Sequence, residues 1–164
     1  YQTLLEVSRE VQAEGWSFNK EFHYDMTPDS NNEILIANNI LQIDAAKNAA
    51  NVHMDVIRRS GKLYDKAHHT YTFTKKVSCD ITWLFDWVDL PTPIADFITA
   101  RAATIVQSRI VGDPNQYQML QQKEQSARAM AMEYECNQGD YTFFGHPGET
   151  NTYNSYKPYN ALYR

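Results

Sequence analysis

Residues able to make or break bonds are present in this chain, but they are not in working arrangements. The five histidines include the adjacent pair His68-His69, in a loop between predicted strands. Neighbouring side chains on extended backbone point to opposite faces and cannot chelate one ion together. His23, His53 and His146 have no HxxxH or HxH companion. There is no GxSxG, P-loop or GxGxxG. Glu133 and Glu135 project to different sides of one predicted helix, so they are not a paired acid and base. Asp80, Asp86 and Asp89 could gather a cation. Asp86 and Asp89, however, flank an aromatic cluster of Trp83, Phe85 and Trp87, and capping or solvation of a strand-to-helix connection explains them better. Cys79 and Cys136 lack the spacing of a zinc site and cannot make a disulfide framework, which points to a reducing compartment. The residues predict no catalytic, cofactor or metal site.

One charge feature rises above the background. Arg58, Arg59, Lys62, Lys66, Lys75 and Lys76 stand against Asp65 alone, a local +5 in a chain of net charge −5, which leaves −10 for the rest. A basic hairpin on an acidic body can meet an acidic protein surface or touch nucleic-acid phosphates. It can equally be a solvated, lysine-rich edge that discourages strand-to-strand aggregation. The acidic total argues against bulk attraction to nucleic acid or to anionic membranes. No apolar run approaches the roughly 20 residues of a membrane helix, and no signal peptide is recognisable.

The elements that position these groups are led by two long helices, 92–111 and 114–138. Leu90-Pro91-Thr92-Pro93 is a helix entry, since proline is tolerated in the first turn. Ile94, Phe97, Ile98, Ala102, Ile105 and Val106 then recur at steps of three and four. Gly112-Asp113-Pro114 ends one helix and caps the next. The second helix sets Tyr117, Leu120, Ala127, Ala131 and Tyr134 on one face, with Met119, Met130 and Met132 beside it as packed residues. A shorter helix is predicted over 2–14, with Leu4, Val7 and Val11 inward. Gly15 ends it, and Trp16 and Phe18 are expected to pack back on the core.

Between residues 21 and 85 the period shifts towards two. Phe22, Tyr24 and Met26 alternate as in a half-buried strand; 33–37 and 40–44 read as a hairpin about Asn38-Asn39. Residues 45–51 read as a loop or a single helical turn. Strands 52–58 and 62–65 flank Ser60-Gly61, and 71–74 and 77–84 complete the set. The predicted architecture is α+β: a helical bundle on a long αα-hairpin with a small inserted antiparallel β-subdomain. Residues 1–139 form one domain. From Asn137 onward the pattern vanishes, although five tyrosines and two phenylalanines remain. Residues 140–164 are therefore expected to be an extended arm lying on a partner. Its anchors would be Tyr141, Phe143, Phe144, Tyr153, Tyr156 and Tyr159.

The order of parts resembles the tail tubular protein A family of T7-like podophages. The likeness runs from Gly15-Trp16-Ser17-Phe18-Asn19 through the hairpin at 58–65 and Leu90-Pro91. It is sharpest at Ala127-Arg128, Met132-Glu133-Tyr134-Glu135 and Gly139-Asp140-Tyr141. It covers most of residues 4–144 and is least in the arm. The resemblance implies a structural protein and not an enzyme. It implies a dodecameric adaptor ring between the capsid portal and the tail nozzle (tail tubular protein B), with tail fibres nearby and phage DNA passing through the lumen without specific binding. The implied setting is the virion tail, and host cytoplasm during assembly. Family members carry a further N-terminal helical segment, so a helical piece is expected upstream of Tyr1. On this reading Arg58, Arg59, Lys62 and Lys66 would meet the nozzle or a neighbouring subunit, and the aromatic arm would grip the portal or another subunit. A nucleic-acid-binding module using residues 58–76 is the alternative, and a cell-wall hydrolase resting on scattered carboxylates is a third.

Overall fold

A computed structural model describes residues 1–46 and 54–139. The arm 140–164 and its six aromatic anchors lie outside the described residues, as does most of the expected loop at 45–51. The chain is mixed α+β. Helix α1 (Gln2–Gln12) is followed by strands β1 (Lys20–Met26), β2 (Ile40–Ala45), β3 (Val56–Arg59), β4 (Lys62–Asp65) and β5 (Val77–Trp83), then helices α2 (Thr92–Val106) and α3 (Pro114–Gln138). All strand pairs are antiparallel. One sheet has the order β1-β5-β2 and the other is the β3-β4 pair.

Two apolar cores hold these elements. Met26, Ile34, Ile36, Ile40, Val56, Leu63, Phe73, Val77, Cys79 and Ile81 fill the β core. Val7, Val11, Trp16, Leu90, Ile94, Phe97, Ile98, Ala102 and Ala131 fill the helical one. Phe97, Ile94 and Ile98 are completely buried, as their spacing on one face requires. At the end of α2 a π turn (Gln107–Val111) runs into Gly112, whose φ of +69° lets the chain swing into α3. Asp113 caps α3 by accepting the Asn115 N–H at 2.9 Å. α3 then lies against α2. Arg101 reaches Glu124 at 3.5 Å, and the Arg128 guanidinium stands 5.5 Å from the centre of the Phe97 ring. Trp16 and Phe18 do turn back on the helical core.

Several expectations are corrected. α1 ends at Gln12 and not at Glu14, because Ala13 caps it and Gly15 at φ +78° redirects the chain. Residues 33–37 do not pair with β2. Ile36 N–H donates to Gly61 C=O and Leu63 N–H to Ile34 C=O, so this segment borders β4 while Ile34 and Ile36 enter the core. Residues 71–74 form no strand, because Thr70 bridges back to Asp65 and Phe73 N–H donates to Asn32 C=O. β1 is an exposed edge and not a half-buried strand. A bulge between Glu21 and Tyr24, with His23 at φ +57°, breaks the alternation and leaves only Met26 buried. On α3, Met119, Met130 and Met132 are exposed. Only Ala131 and Glu135 are buried there, since two alanines and a half-buried leucine make too narrow an apolar stripe to draw in the methionines.

Candidate assembly surfaces

The basic hairpin is built by its turn. Ser60 and Gly61 both take positive φ, +54° and +74°, which matches the twist of β3 and β4 and pairs Arg59 with Lys62 and Arg58 with Leu63. Half of its cations are already matched. Lys62 meets Glu33, Lys66 meets Asp55 and Lys76 meets Asp25, each at 2.6 Å. Such surface pairs add little stability but cancel the local field. Arg58 donates to Asn38 Oδ1 at 2.9 Å and Ile40 C=O at 3.3 Å, which fixes the guanidinium without neutralising it. Arg59 lies 4.6 Å from the centre of the Tyr64 ring, and Tyr64 stacks on Tyr71 at 4.7 Å. Among the described residues, Arg58, Arg59 and Lys75 have no carboxylate partner. Of these three, Arg58 and Arg59 sit at the turn end of the hairpin, and Lys75 just before β5.

Beneath the hairpin, Asp65 is almost fully buried and organises the following turn. It accepts from Ala67 N–H at 2.8 Å, His68 N–H at 3.4 Å and the His68 ring at 2.6 Å. Burial pushes its pKa up, but the His68 ring and the two backbone N–H groups outweigh that and hold the carboxyl below its ordinary value. His68 is therefore a partner of Asp65, while His69 contacts the Tyr64 hydroxyl at 3.5 Å.

A cleft of about 610 Å³ opens between β1, β2 and β3, lined by Lys20, His23, Asp44, Asp55, Lys66 and Asp80. Most of its charges are engaged: Lys66 with Asp55, Asp80 with the His23 N–H at 3.1 Å, Asp44 with the Ala45 N–H at 2.8 Å, while Lys20 lies 5.1 Å from the centre of the Phe22 ring. Asp86 precedes and Asp89 ends a 3₁₀ turn (Trp87–Asp89), and neither lies in this cleft's lining. Among the described residues, no three histidine, cysteine or acidic side chains come together in metal-holding geometry.

Other surfaces carry more apolar area than the sequence suggested. Val88 is 91% exposed beside half-exposed Trp87, just before α2. Ile110 is 77% exposed beside Val111, just after α2. The 20 helical residues Thr92–Val111, a rod of about 30 Å at 1.5 Å per residue, begin just after the first patch and end with the second. Under the far tip, Gln107 is buried and its Nε2 has no hydrogen-bond partner among the described residues. Val106, Ile110 and Val111 are exposed although Arg109 beside them reaches Glu6 of α1 at 3.8 Å.

Comparison with known families places the chain among them. Residues 1–141 match the family described as Tail tubular protein. The chain belongs to the tail tubular protein family. It is a structural protein of the phage virion tail, in agreement with the resemblance carried by its motifs. No curated protein matches it.

Proposed function

We propose that this tail tubular protein is the adaptor ring joining the portal at the capsid vertex to the tail nozzle, as a dodecamer that forms part of the DNA ejection channel. On this reading α2 and α3 are the αα-hairpin of a helical bundle, and the β1–β5 unit is its inserted subdomain. The observation that carries the proposal is the pair of exposed apolar tips, Trp87-Val88 and Ile110-Val111, at opposite ends of one rod about 30 Å long. A component with a different neighbour at each end needs two such patches, whereas a free-standing enzyme or a one-sided binding module needs neither. Arg58, Arg59 and Lys75 supply a salt-sensitive contact to an acidic face of the nozzle or of the next subunit, with Lys62 and Lys66 already held by Glu33 and Asp55. The arm 140–164, with Tyr141, Phe143, Phe144, Tyr153, Tyr156 and Tyr159, is a grip on a neighbouring protein. The protein performs no catalysis and carries no cofactor. It assembles in the host cytoplasm and ends in the virion tail, where tail fibres are a further neighbour.

The test is selective loss. Val88→Asp and Ile110→Asp alter exposed side chains, so each variant should fold. Electron microscopy and pull-down with purified portal and nozzle should show each variant forming rings while losing one of the two partners. Loss of neither partner would refute the two-ended reading. Arg59→Glu with Lys75→Glu should weaken one docking event more strongly at low salt than at high. If the pair instead abolished duplex DNA binding and left both dockings intact, the nucleic-acid reading would replace this one.

A further inference from the structure

α3 is 25 residues long and buries only Ala131 and Glu135. Its charged residues are used unequally. Glu124 pairs with Arg101 and Arg128 with Glu14, each at 3.5 Å, and Glu135 accepts from Ser17. Lys123 and Glu133 are exposed and have no ion-pair partner among the described residues. Met119, 71% exposed, and Met130, 62% exposed, stand on the same side of the helix as these two.

Met119, Lys123, Ser126, Met130, Glu133 and Asn137 follow one another at steps of four and three. That is the spacing of a coiled-coil seam, in which every such residue faces a partner helix. All six are exposed, and the seam lies about 120° around the helix from the buried Ala131. At 1.5 Å per residue it runs for about 27 Å. Two large, polarisable methionines on it give the subunit's own core nothing, and they suit a contact surface.

The order of charges along the seam selects the occupant. If a second copy of α3 lay parallel, each seam residue would face its equivalent. Lys123 would then oppose Lys123 and Glu133 would oppose Glu133, and both contacts repel. Turned antiparallel about a twofold axis level with Arg128, Lys123 faces Glu133, Ser126 faces Met130 and Met119 faces Asn137, each pairing occurring twice. The two ion pairs then flank a centre where small Ser126 leaves the room that Met130 needs. The charge complementarity lies within this one helix, and a second copy of the chain satisfies it.

We infer that two copies of the free chain pair antiparallel through this seam, with Lys123 of each against Glu133 of the other. The contact is twofold, whereas head-to-tail contacts close a ring. The pair therefore belongs to the chain before it enters a tail, and it covers the methionines there. The inference does not depend on the adaptor reading.

Sedimentation equilibrium of the full chain over rising concentration tests it. The parent should pass from monomer to dimer. Lys123→Glu alone and Glu133→Lys alone each turn two attractions into two repulsions, and each should weaken the dimer by about tenfold. The double reversal should restore it to within about threefold of the parent. Both positions are exposed, so the melting curve should be unchanged in all three variants. A parent that stays monomeric or passes straight to rings overturns the inference, as does a double reversal no better than either single one. Neither result touches the adaptor reading. Orientation is read in a Cys136→Ser background by oxidising Ser126→Cys copies mixed with Met130→Cys copies. Antiparallel pairing yields disulfides chiefly between the two variants; disulfides chiefly within one variant, or none, overturn it.

Discussion

Gln12→Leu is the substitution that most directly probes how the two halves of the fold are joined. Gln12 is completely buried near the end of α1. Its Oε1 accepts the Phe85 N–H at 2.8 Å, and its Nε2 donates to Phe85 C=O at 3.1 Å and to Ser8 Oγ at 3.0 Å. Leucine has similar volume, so the cost is almost wholly polar. The Phe85 backbone loses both partners, at about 1–3 kcal/mol for each unsatisfied group. Phe85 is only half-buried, so water recovers part of this, and a loss of about 2–4 kcal/mol is expected. Against a typical total of about 5–15 kcal/mol that is a large fraction. It should lower Tm by roughly 5–15 °C for a chain of this size. Urea unfolding followed by tryptophan fluorescence reads it, because Trp16 and Trp83 flank the joint. Gln42→Leu is the control: its bond to Ala13 C=O at 3.0 Å is exposed, and its removal should cost under about 0.5 kcal/mol. A loss below about 1 kcal/mol for Gln12→Leu would refute the reasoning.

The neighbours Met130 and Ala131 should behave oppositely. Ala131→Arg drives a charge into the helical core and should cost several kcal/mol by thermal melting, while Met130→Asp should leave subunit stability within about 0.5 kcal/mol. Asp65 has a folded pKa below its ordinary value, so its stabilisation is present above the unfolded pKa and is lost as pH falls through the folded one. Acid titration of Asp65→Asn should therefore lack that part of the pH dependence shown by the parent protein. Cys79 is buried, and its thiol is pushed up to about 12 by burial and by Asp80, Asp44 and Asp25, so a thiol reagent should label Cys136 in the folded chain and Cys79 only after unfolding. Above about pH 9 the unfolded thiol ionises first, so stability should fall by up to about 1.4 kcal/mol per pH unit, a slope that Cys79→Ala should abolish.

The helices were legible in the sequence because their signals are local. Pro93, Gly112, Asp113 and Pro114 are read residue by residue, and Ile94, Phe97 and Ile98 mark one face through their spacing. The Ser60-Gly61 turn was legible for the same reason. Partner choice among strands was not. β5 sits between β1 and β2, and nothing local at Ile40 says that it will meet Trp83 and not the residues beyond Asn38-Asn39. The basic segment was found by counting charge. Its pairing with Glu33, Asp55 and Asp25, distant in sequence, is a product of the fold. Glu135 shows the same limit. Helix geometry correctly separated it from Glu133, but only the structure brings it to Ser17, where one carboxylate accepts the N–H at 2.9 Å and the hydroxyl at 2.8 Å.

The joint between the two cores explains why such polar residues sit where apolar ones would be expected. The β core and the helical core share no buried residue. Between them stand Gln12, bonded to Phe85, and Asn19, whose Nδ2 donates to Gln12 C=O and Trp83 C=O at 2.8 Å while its Oδ1 accepts the Trp16 N–H at 2.9 Å. An apolar seam tolerates small slips and rotations, because burial is nearly indifferent to direction. A chain of satisfied hydrogen bonds tolerates neither, because each bond weakens steeply off its axis. In the ring proposed above, an angular error at this joint would repeat at every subunit and prevent closure. A buried amide clamp is thus the kind of joint that holds the helical half and the β half at a fixed angle to each other. The structural importance of Gln12 and Asn19 follows from that geometry.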